Sequence, residues 1–277
     1  MRLLIKILLG LIFFTFLTLI TQVGGVVFLI STLTFRLIEK RLNSWWTRVT
    51  AKVLSFTTLY FLFVFVIVPL TAKPFGRVPL PFVESSHVCP ANILTVLLNR
   101  NYVRPELREA TFDVARKMND KYPGTVLNYL DANFPFINKF PLLPHLSHSD
   151  GKKLDVSFYY INAKTGERTN EVPSWLGYGV CEGPRQGEFD RPADCTRKGY
   201  WQYSFISQSI SQDNKDKYPF DSERTKDLVN FYVAHKAIGK LLIEPHLKTR
   251  LRLTSSKVRL HGCNAVRHDD HIHVQLK

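Results

Sequence analysis

Two long apolar runs at the start of the chain predict membrane-spanning helices. No charged residue occurs from Ile7 to Phe35, and a second uncharged run extends from Val53 to Ala72. As a helix the first run would be about 43 Å long, more than the ~30 Å hydrocarbon core of a bilayer, whereas the second has the usual length of about 20 residues. Gly24-Gly25 offers a point at which the first run can break into a hairpin-like pair. The length of the first run and the presence of the second exclude a cleaved secretion signal.

The segment between the two runs is basic and predicts the orientation of the chain. Residues 36–52 carry five basic side chains and one acidic side chain, and Trp45-Trp46 is typical of a membrane interface. The positive-inside rule places this loop in the cytoplasm and the chain after the second run outside it. If each run crosses once, the N-terminus is also outside, although Arg2 and Lys6 favour the opposite side. We therefore expect residues 1–72 to form a membrane anchor of about two transmembrane helices.

After the second run the pattern becomes that of an α+β domain. Residues 73–90 begin with a Pro-rich stretch and predict an extended stem. In residues 91–277 a helix, strands, a long loop region, a helix and strands follow one another, which favours a compact α+β domain with a small antiparallel sheet and flanking helices. The helices are predicted at 91–99, 104–118, 225–239 and 245–251, and the strands at 125–133, 154–161, 240–244, 257–260 and 270–276.

The last predicted strand places histidines on one face. From 270 to 276 polar residues alternate with apolar ones. On a strand, His271 and His273 point to the same side of the sheet, and Ile272 and Val274 point to the other. Two imidazoles on one face, with carboxylates just upstream, indicate a metal site.

Candidate ligands for the same metal occur more than a hundred residues upstream. His148 precedes Asp155 by seven residues, Gly151 permits a turn between them, and Asp155 lies at the start of a predicted strand. A histidine from the turn and a carboxylate from the strand can therefore converge on one point. A histidine from an adjacent strand would complete a three-ligand set and leave a fourth position open for water.

The spacing of these residues resembles a known family. His148-x-x-Gly151-x-x-x-Asp155, followed much later by His271-x-His273, is similar to the metallopeptidase group that contains lysostaphin-type and D-Ala-D-Ala peptidases. The resemblance implies that His148, Asp155 and His273 bind Zn²⁺. It also implies that His271 is the catalytic histidine beside the metal.

Two further histidines narrow the resemblance. The spacings His145-x-x-His148 and His268-x-x-His271 look most like those of penicillin-insensitive murein endopeptidases, over residues 145–277. This resemblance implies that His145 lies near the metal. It also implies that His268 is a second catalytic residue, whose protonated ring would stabilise the oxyanion.

The charged residues beside these histidines each have two interpretations. Asp269 and Asp270 either orient the imidazoles from behind or are solvated turn residues. Arg267 either binds a substrate carboxylate or takes part in a surface ion pair.

The cysteines agree with an exported domain. All four follow the second apolar run, and the C-x-x-C spacing of redox motifs and zinc fingers does not occur. An even count in an exported domain predicts two disulfides, in one of three pairings. We expect Cys181 to pair with Cys195, which closes a short loop, and Cys89 to pair with Cys263.

Composition limits the classes of partner. A net charge of +14 favours anionic surfaces such as lipid headgroups or cell-wall polymers. No recognisable nucleic-acid module accompanies the charge, so nucleic acid is not expected as a partner.

The patterns and the resemblance together predict a membrane-anchored zinc metallopeptidase. It would lie in the bacterial inner membrane, with its C-terminal domain in the periplasm, and would hydrolyse cross-links between the peptide stems of peptidoglycan. Two alternatives stay open. One is a non-catalytic module that binds cell-wall peptides, and the other is a D-Ala-D-Ala-type carboxypeptidase or dipeptidase on the same fold.

Overall fold

The computed structural model of the protein describes residues 2–277 and comprises a helical bundle followed by an α+β domain. The α-helices are α1 (Arg2–Thr21), α2 (Gly24–Arg41), α3 (Trp45–Leu62), α4 (Val68–Thr71), α5 (Ile93–Leu97), α6 (Pro105–Lys121), α7 (Arg191–Arg197), α8 (Phe205–Ser209), α9 (Ser222–Ala234) and α10 (Pro245–Arg250). The strands are β1 (Val78–Pro79), β2 (Val88–Pro90), β3 (Tyr102–Val103), β4 (Leu127–Tyr129), β5 (Lys153–Ser157), β6 (Tyr160–Ile161), β7 (Arg168–Thr169), β8 (Ile238–Leu242), β9 (Val258–Arg259) and β10 (His271–Leu276).

The first apolar run forms a helical hairpin rather than one long helix. α1 ends at Thr21, and the chain reverses through Gln22, which has a left-handed backbone (φ 65°). Gly25 allows the two helices to approach closely, because a Cβ there would lie 2.0 Å from the Thr18 hydroxyl. Phe13 of α1 packs on Phe28 of α2, with ring centroids 5.0 Å apart. The chain therefore breaks just before and at the paired glycines, and residues 7–35 do not form a single helix.

α3 packs against the hairpin and continues through a π-helical segment, Phe63–Ile67, into α4. The Thr34 hydroxyl of α2 lies 2.7 Å from the Ser55 hydroxyl of α3. Pro69 accounts for the wide turn, since proline has no N–H to donate and its ring would clash with the carbonyl four residues earlier. The three helices therefore run in alternating directions, and the α2–α3 loop lies at the same end of the bundle as the N-terminus.

Two stretches of this bundle, Leu4–Thr21 and Trp45–Thr71, are long and apolar enough to cross a membrane. Large apolar side chains on both stretches are exposed at the surface of the bundle, among them Leu8, Leu11 and Leu54. Such a surface is compatible with lipid, which has no hydrogen bonds to offer and accepts apolar side chains.

The expected extended stem is wrong, because residues 73–90 pack into the domain. Leu80 and Val88 are buried in the main core, and β2 forms an edge of the main sheet. The domain also contacts the tip of the helical hairpin, where the Gln22 side-chain oxygen accepts hydrogen bonds from the backbone N–H groups of Phe136 and Ile137. The domain therefore lies directly against the bundle.

A six-stranded mixed sheet, ordered β2-β4-β5-β10-β8-β9, forms the framework of the domain. In the middle of the sheet each strand is antiparallel to its neighbour, from β4 through β5 and β10 to β8. The two edge strands differ: β2 runs parallel to β4, and β9 runs parallel to β8. The expected sheet was wholly antiparallel. The difference arises because parallel neighbours need a crossover connection, and α6 and α10 lie in the two connections that supply it.

The alternation of side chains along β10 separates the two faces of the sheet, as predicted. Ile272 and Val274 belong to the apolar core, which also contains side chains of α6 and α9.

The sequence also predicted a helix ending at Gly239, but α9 ends at Ala234 and Gly239 lies in β8. A Cβ at Gly239 would come within 2.9 Å of the Lys277 Cα, so the glycine allows the end of the chain to pack closely.

One disulfide forms in the described part of the chain, and its pairing differs from the prediction. Cys195 of α7 is bonded to Cys263 in the loop before β10, while Cys89 and Cys181 are free thiols. The prediction from loop length was wrong because α7 turns Cys195 toward the loop before β10. Cys181 is instead buried beside Asp269, and burial raises the pKa of its thiol well above the usual value.

Replacing both Cys195 and Cys263 by Ser should lower the free energy of unfolding by about 2–4 kcal/mol. The bridge spans 68 residues, and a cross-link over a long loop restricts the unfolded chain. Thermal unfolding of the full-length protein in detergent measures the change, with Cys89→Ser as a matched control that removes a free thiol. Equal midpoints for the wild type and the double variant would contradict this pairing.

Candidate metal centre

Two neighbouring strands and one loop place the predicted metal ligands together. In the antiparallel register of β5 and β10, Asp155 lies directly opposite His273, so both side chains project from the same face. His148 comes from the loop before β5, where its Nδ1–H donates to the carbonyl of Ala132 at 2.7 Å. That hydrogen bond leaves the His148 Nε2 lone pair directed at the other two residues.

The three donor atoms lie close enough to share one metal ion. His148 Nε2 is 3.1 Å from His273 Nδ1 and 3.2 Å from Asp155 Oδ1, and His273 Nδ1 is 2.9 Å from the same oxygen. Donor atoms around a tetrahedral Zn²⁺ with bonds of about 2.0–2.1 Å are separated by about 3.3 Å. All three residues are buried. His148, Asp155 and His273 therefore form a cluster that could hold a metal ion.

The protonation states of Asp155 and His273 suit metal ligands. At His148 the neighbouring Asp155 outweighs burial and raises the pKa, so a metal ion that binds there would displace a proton. Burial raises the pKa of the Asp155 carboxyl, but the neighbouring His148 and His271 outweigh burial and hold it well below its usual range. Burial lowers the pKa of His273 to about 4, despite the nearby Asp155. At neutral pH the cluster therefore contains a carboxylate and a neutral imidazole, which are the forms that bind metals.

His271 lies beside this cluster and is oriented by Asp270. Its Nδ1 is 2.5 Å from Asp270 Oδ1, and the other Asp270 oxygen accepts the Gly179 N–H at 2.6 Å. Burial lowers the pKa of His271, but Asp155 and Asp270 outweigh it and raise the value to about 9. The His271 Nε2 is 3.7 Å from Asp155 Oδ2 and has no hydrogen-bond partner among the described residues. Asp270 thus orients an imidazole and is not a solvated turn residue.

His145 lies near the Asp155 oxygen that His271 also approaches. Its Nδ1 is 3.1 Å from Asp131 Oδ2 and 3.5 Å from Asp155 Oδ2. Its Nε2 is buried without a partner within residues 2–277. The structure therefore brings His145 next to the cluster, and it adds Asp131, a neighbouring carboxylate that the sequence reasoning missed. The sequence feature that could have indicated Asp131 is its position near the end of the predicted strand 125–133.

Tyr178 is a second site residue that was missed. Its hydroxyl donates to Asp155 Oδ2 at 2.9 Å and accepts the Asp131 N–H at 3.0 Å. Tyr178 comes from the long segment between residues 171 and 215, which has no sustained hydrophobic period. No local pattern could therefore have related this tyrosine to Asp155.

His268 also lies in the site. Its ring is 4.9 Å from that of His271 and 5.8 Å from that of His273, between centroids. Burial lowers the pKa of His268 well below its usual value, and the nearby His271 adds to that effect. The ring is therefore neutral, whereas the predicted oxyanion partner was protonated. As a neutral imidazole, His268 can still donate one N–H.

Arg267 and Asp269 form a buried ion pair instead of contacting the cluster. Arg267 donates two hydrogen bonds to the Asp269 carboxylate, at 2.8 and 2.5 Å. Asp269 is fully buried, so it is not a solvated turn residue, and its carboxylate is engaged by Arg267 rather than by the site histidines. The Arg267 guanidinium is correspondingly not free for a substrate carboxylate, and its ion pair lies inside the protein, not on the surface.

A cleft of about 520 Å³ opens in front of the cluster. The five site histidines and Asp155 line its polar end. The remaining wall is mainly apolar and includes Leu143, Leu146, Trp201, Phe205, Ile206, Leu242 and Val266. The metal cluster is therefore open to a ligand of considerable size.

Comparisons of this chain with protein-family models and with curated proteins found no match. The resemblance to murein endopeptidases therefore stays a prediction that rests on the spacing of His145, His148, Asp155, His271 and His273.

Replacing His148, Asp155 or His273 by Ala should each reduce bound metal from about one ion per chain to a small fraction, because each change removes one of three ligands. Elemental analysis of the purified full-length protein after dialysis measures the metal content. His235→Ala is the matched control, since this half-buried histidine follows α9 and lies outside the cluster. Equal metal content in all four variants would contradict the proposed ligand set.

Proposed function

We propose that this protein is a membrane-anchored, zinc-dependent peptidase that hydrolyses peptide cross-links of peptidoglycan. The observation that carries the proposal is the convergence of three donor atoms, from His148, Asp155 and His273, at the end of an open cleft. A structural zinc site uses four protein ligands, whereas a catalytic site uses three and keeps one position for water or substrate. Three such ligands are found among residues 2–277, which favours catalysis.

The donor set favours zinc over Mg²⁺ and Ca²⁺. Two imidazoles and one carboxylate match the nitrogen and oxygen donors that Zn²⁺ takes in catalytic sites, whereas Mg²⁺ and Ca²⁺ prefer oxygen ligands alone. When bound, Zn²⁺ polarises a carbonyl group and lowers the pKa of coordinated water toward about 7.

The residues around the cluster would transfer the protons that hydrolysis requires. The Asp270 carboxylate accepts the Nδ1–H of His271, and Asp155 and Asp270 together keep that ring protonated at neutral pH. Beside a bound Zn²⁺ the pKa of His271 would fall, because like charges repel, and its Nε2 would then take a proton from the nucleophile and pass it to the leaving amine. His268 is in a position to donate its N–H to the developing oxyanion. Tyr178 and His145 hold the second oxygen of Asp155 and keep that carboxylate oriented.

The proposed location follows from the charges on the bundle. Lys6, Arg36, Arg41 and Lys52 lie at the end of the bundle away from the domain. The positive-inside rule places that end in the cytoplasm, and the domain then lies in the periplasm. Because the first run forms a hairpin, the N-terminus also lies in the cytoplasm, and Arg2 no longer conflicts with the proposal.

Peptidoglycan is proposed as substrate on three grounds. The spacing of the histidines and Asp155 resembles that of penicillin-insensitive murein endopeptidases, and a periplasmic domain would be on the side of the membrane where the wall lies. The positive charge of the chain also suits an anionic wall surface.

His271→Ala should lower the rate of hydrolysis of a cross-linked muropeptide dimer by about 10²–10⁴-fold, because it removes the proposed proton carrier, while bound zinc is retained. His148→Ala should abolish both activity and bound zinc, and His235→Ala should change neither. Chromatography of the products distinguishes an internal cut from removal of a terminal residue. A zinc-loaded wild-type protein that binds the dimer without cleaving it would instead establish the binding-module alternative.

The orientation can be tested by cysteine labelling in a Cys89→Ser background. In intact spheroplasts, a membrane-impermeant maleimide should label Thr165→Cys, in an exposed turn of the domain. Ser44→Cys, in the α2–α3 loop, should be labelled only after the membrane is broken. Labelling of Ser44→Cys in intact spheroplasts would reverse the proposed orientation.

A further inference from the structure

A second cavity of about 420 Å³ adjoins the cleft of the metal centre. The two cavities share the walls formed by Leu143, Pro144, His145, Phe205 and Ile206. The two cavities therefore lie next to each other along this wall.

The second cavity suits a hydrocarbon chain. Much of its wall consists of apolar side chains, including Leu94, Leu98 and Ile210. Its charged groups, Arg100 and Asp131, are paired with each other at 3.3 Å. Two buried polar atoms of its lining, Arg100 Nε and His145 Nε2, have no partner among the described residues. The rest of the wall offers mainly apolar contact, and burial of apolar area is favourable at about 25 cal/mol per Å².

The second cavity lies next to the helical bundle. α5, which contributes Leu94 to its wall, is attached to the bundle by a hydrogen bond from the Tyr60 hydroxyl to the Leu97 carbonyl at 2.6 Å. Asn99 contacts the hairpin tip through the Thr21 carbonyl at 3.4 Å. Tyr60 precedes the end of the helix at Thr71 by about 16 Å along its axis. α5 therefore lies beside the apolar helices of the bundle and close to the hairpin tip.

The rim of the two cavities is apolar and exposed. Leu143 is 60% exposed, Phe205 53% and Trp201 71%. Trp175, adjacent to the cavity residue Leu176, is 68% exposed. Contiguous exposed apolar side chains indicate a lipid or ligand contact, and tryptophan is enriched where proteins meet the bilayer surface.

We propose that the metal centre acts on peptides anchored in the membrane by a hydrocarbon chain, with the chain in the second cavity and the scissile amide at the metal cluster. The inference rests on the proposed peptidase function and deepens it by naming the substrate class. Hydrolysis consumes one water: the amide C–N bond breaks, a C–O bond forms at the carbonyl carbon, and the proton goes to the leaving amine. The amine and the carboxylate are the two products.

Photo-cross-linking tests the binding part without requiring activity. The probe is an N-palmitoyl D-Ala-D-Ala peptide with a diazirine in the acyl chain, added to full-length His148→Ala protein in lipid nanodiscs. Mass spectrometry should find adducts on Leu94, Leu98 or Phe205, and a hundredfold excess of unlabelled palmitoyl peptide should reduce them at least fivefold. Adducts confined to α1–α3, or adducts that excess peptide leaves unchanged, would overturn the proposal.

Rates of hydrolysis test whether the protein prefers a peptide that carries a hydrocarbon chain. Wild-type protein in nanodiscs should cleave the palmitoyl peptide at least tenfold faster, by kcat/KM, than the N-acetyl peptide of the same sequence. Leu94→Asp and Phe205→Ser should each reduce this ratio at least threefold. Phe189→Ser is the matched control, because Phe189 is 57% exposed but lines neither cavity, and its ratio should equal that of the wild type.

The two proposals can fail separately. Equal kcat/KM for the acetyl and palmitoyl peptides would overturn the membrane-anchored substrate and leave the peptidase function standing. Saturable adducts in the second cavity, without cleavage of either peptide or of the cross-linked muropeptide dimer by zinc-loaded wild type, would overturn the peptidase and leave the lipid-chain site standing.

Discussion

The register between β5 and β10 is the constraint on which the proposed site depends. Asp155 and His273 face each other across this pair of strands. A slip of one residue would turn His273 into the core and Ile272 toward the metal position. Burial of an Ile or Val side chain is worth about 1.5–3 kcal/mol, so the apolar face of β10 holds the register. The metal ligands on the opposite face are positioned as a consequence.

The site also brings together buried polar groups, and their burial is unfavourable in free energy unless a ligand or a metal ion pairs with them. Asp131, Asp155 and the site histidines are all buried, and buried charges are tolerated only when they are paired or coordinate a metal. Hydrogen bonds from Tyr178 and from Gly179 satisfy some of the carboxylate oxygens. The Nε2 atoms of His145 and His271 are left without partners within the described chain. These two atoms point to where a ligand's polar atoms would be stabilised.

Direct contact between the helical bundle and the α+β domain fixes the position of the second cavity relative to the apolar helices. The hairpin tip at Gln22 and the end of α5 at Leu97 connect the two parts by hydrogen bonds. The second cavity, whose wall includes α5, consequently lies beside the helices that have the length and composition of membrane spans. With a free stem, as the Pro-rich composition of 73–90 suggested, the cleft would have had no fixed relation to a membrane.

The sequence by itself determined the features that depend on local periodicity and short spacing. The two apolar runs and the two faces of β10 followed from patterns of this kind, whereas the grouping of His148, Asp155 and His273 was implied by the resemblance to a known family. Only the tertiary structure decided the Cys195–Cys263 pairing, the parallel edges of the sheet, the burial of the Arg267–Asp269 pair, and the positions of Asp131 and Tyr178. These features join segments that are distant in sequence or lack periodicity. Their contacts arise from how the elements pack, and no local pattern of residues encodes that packing.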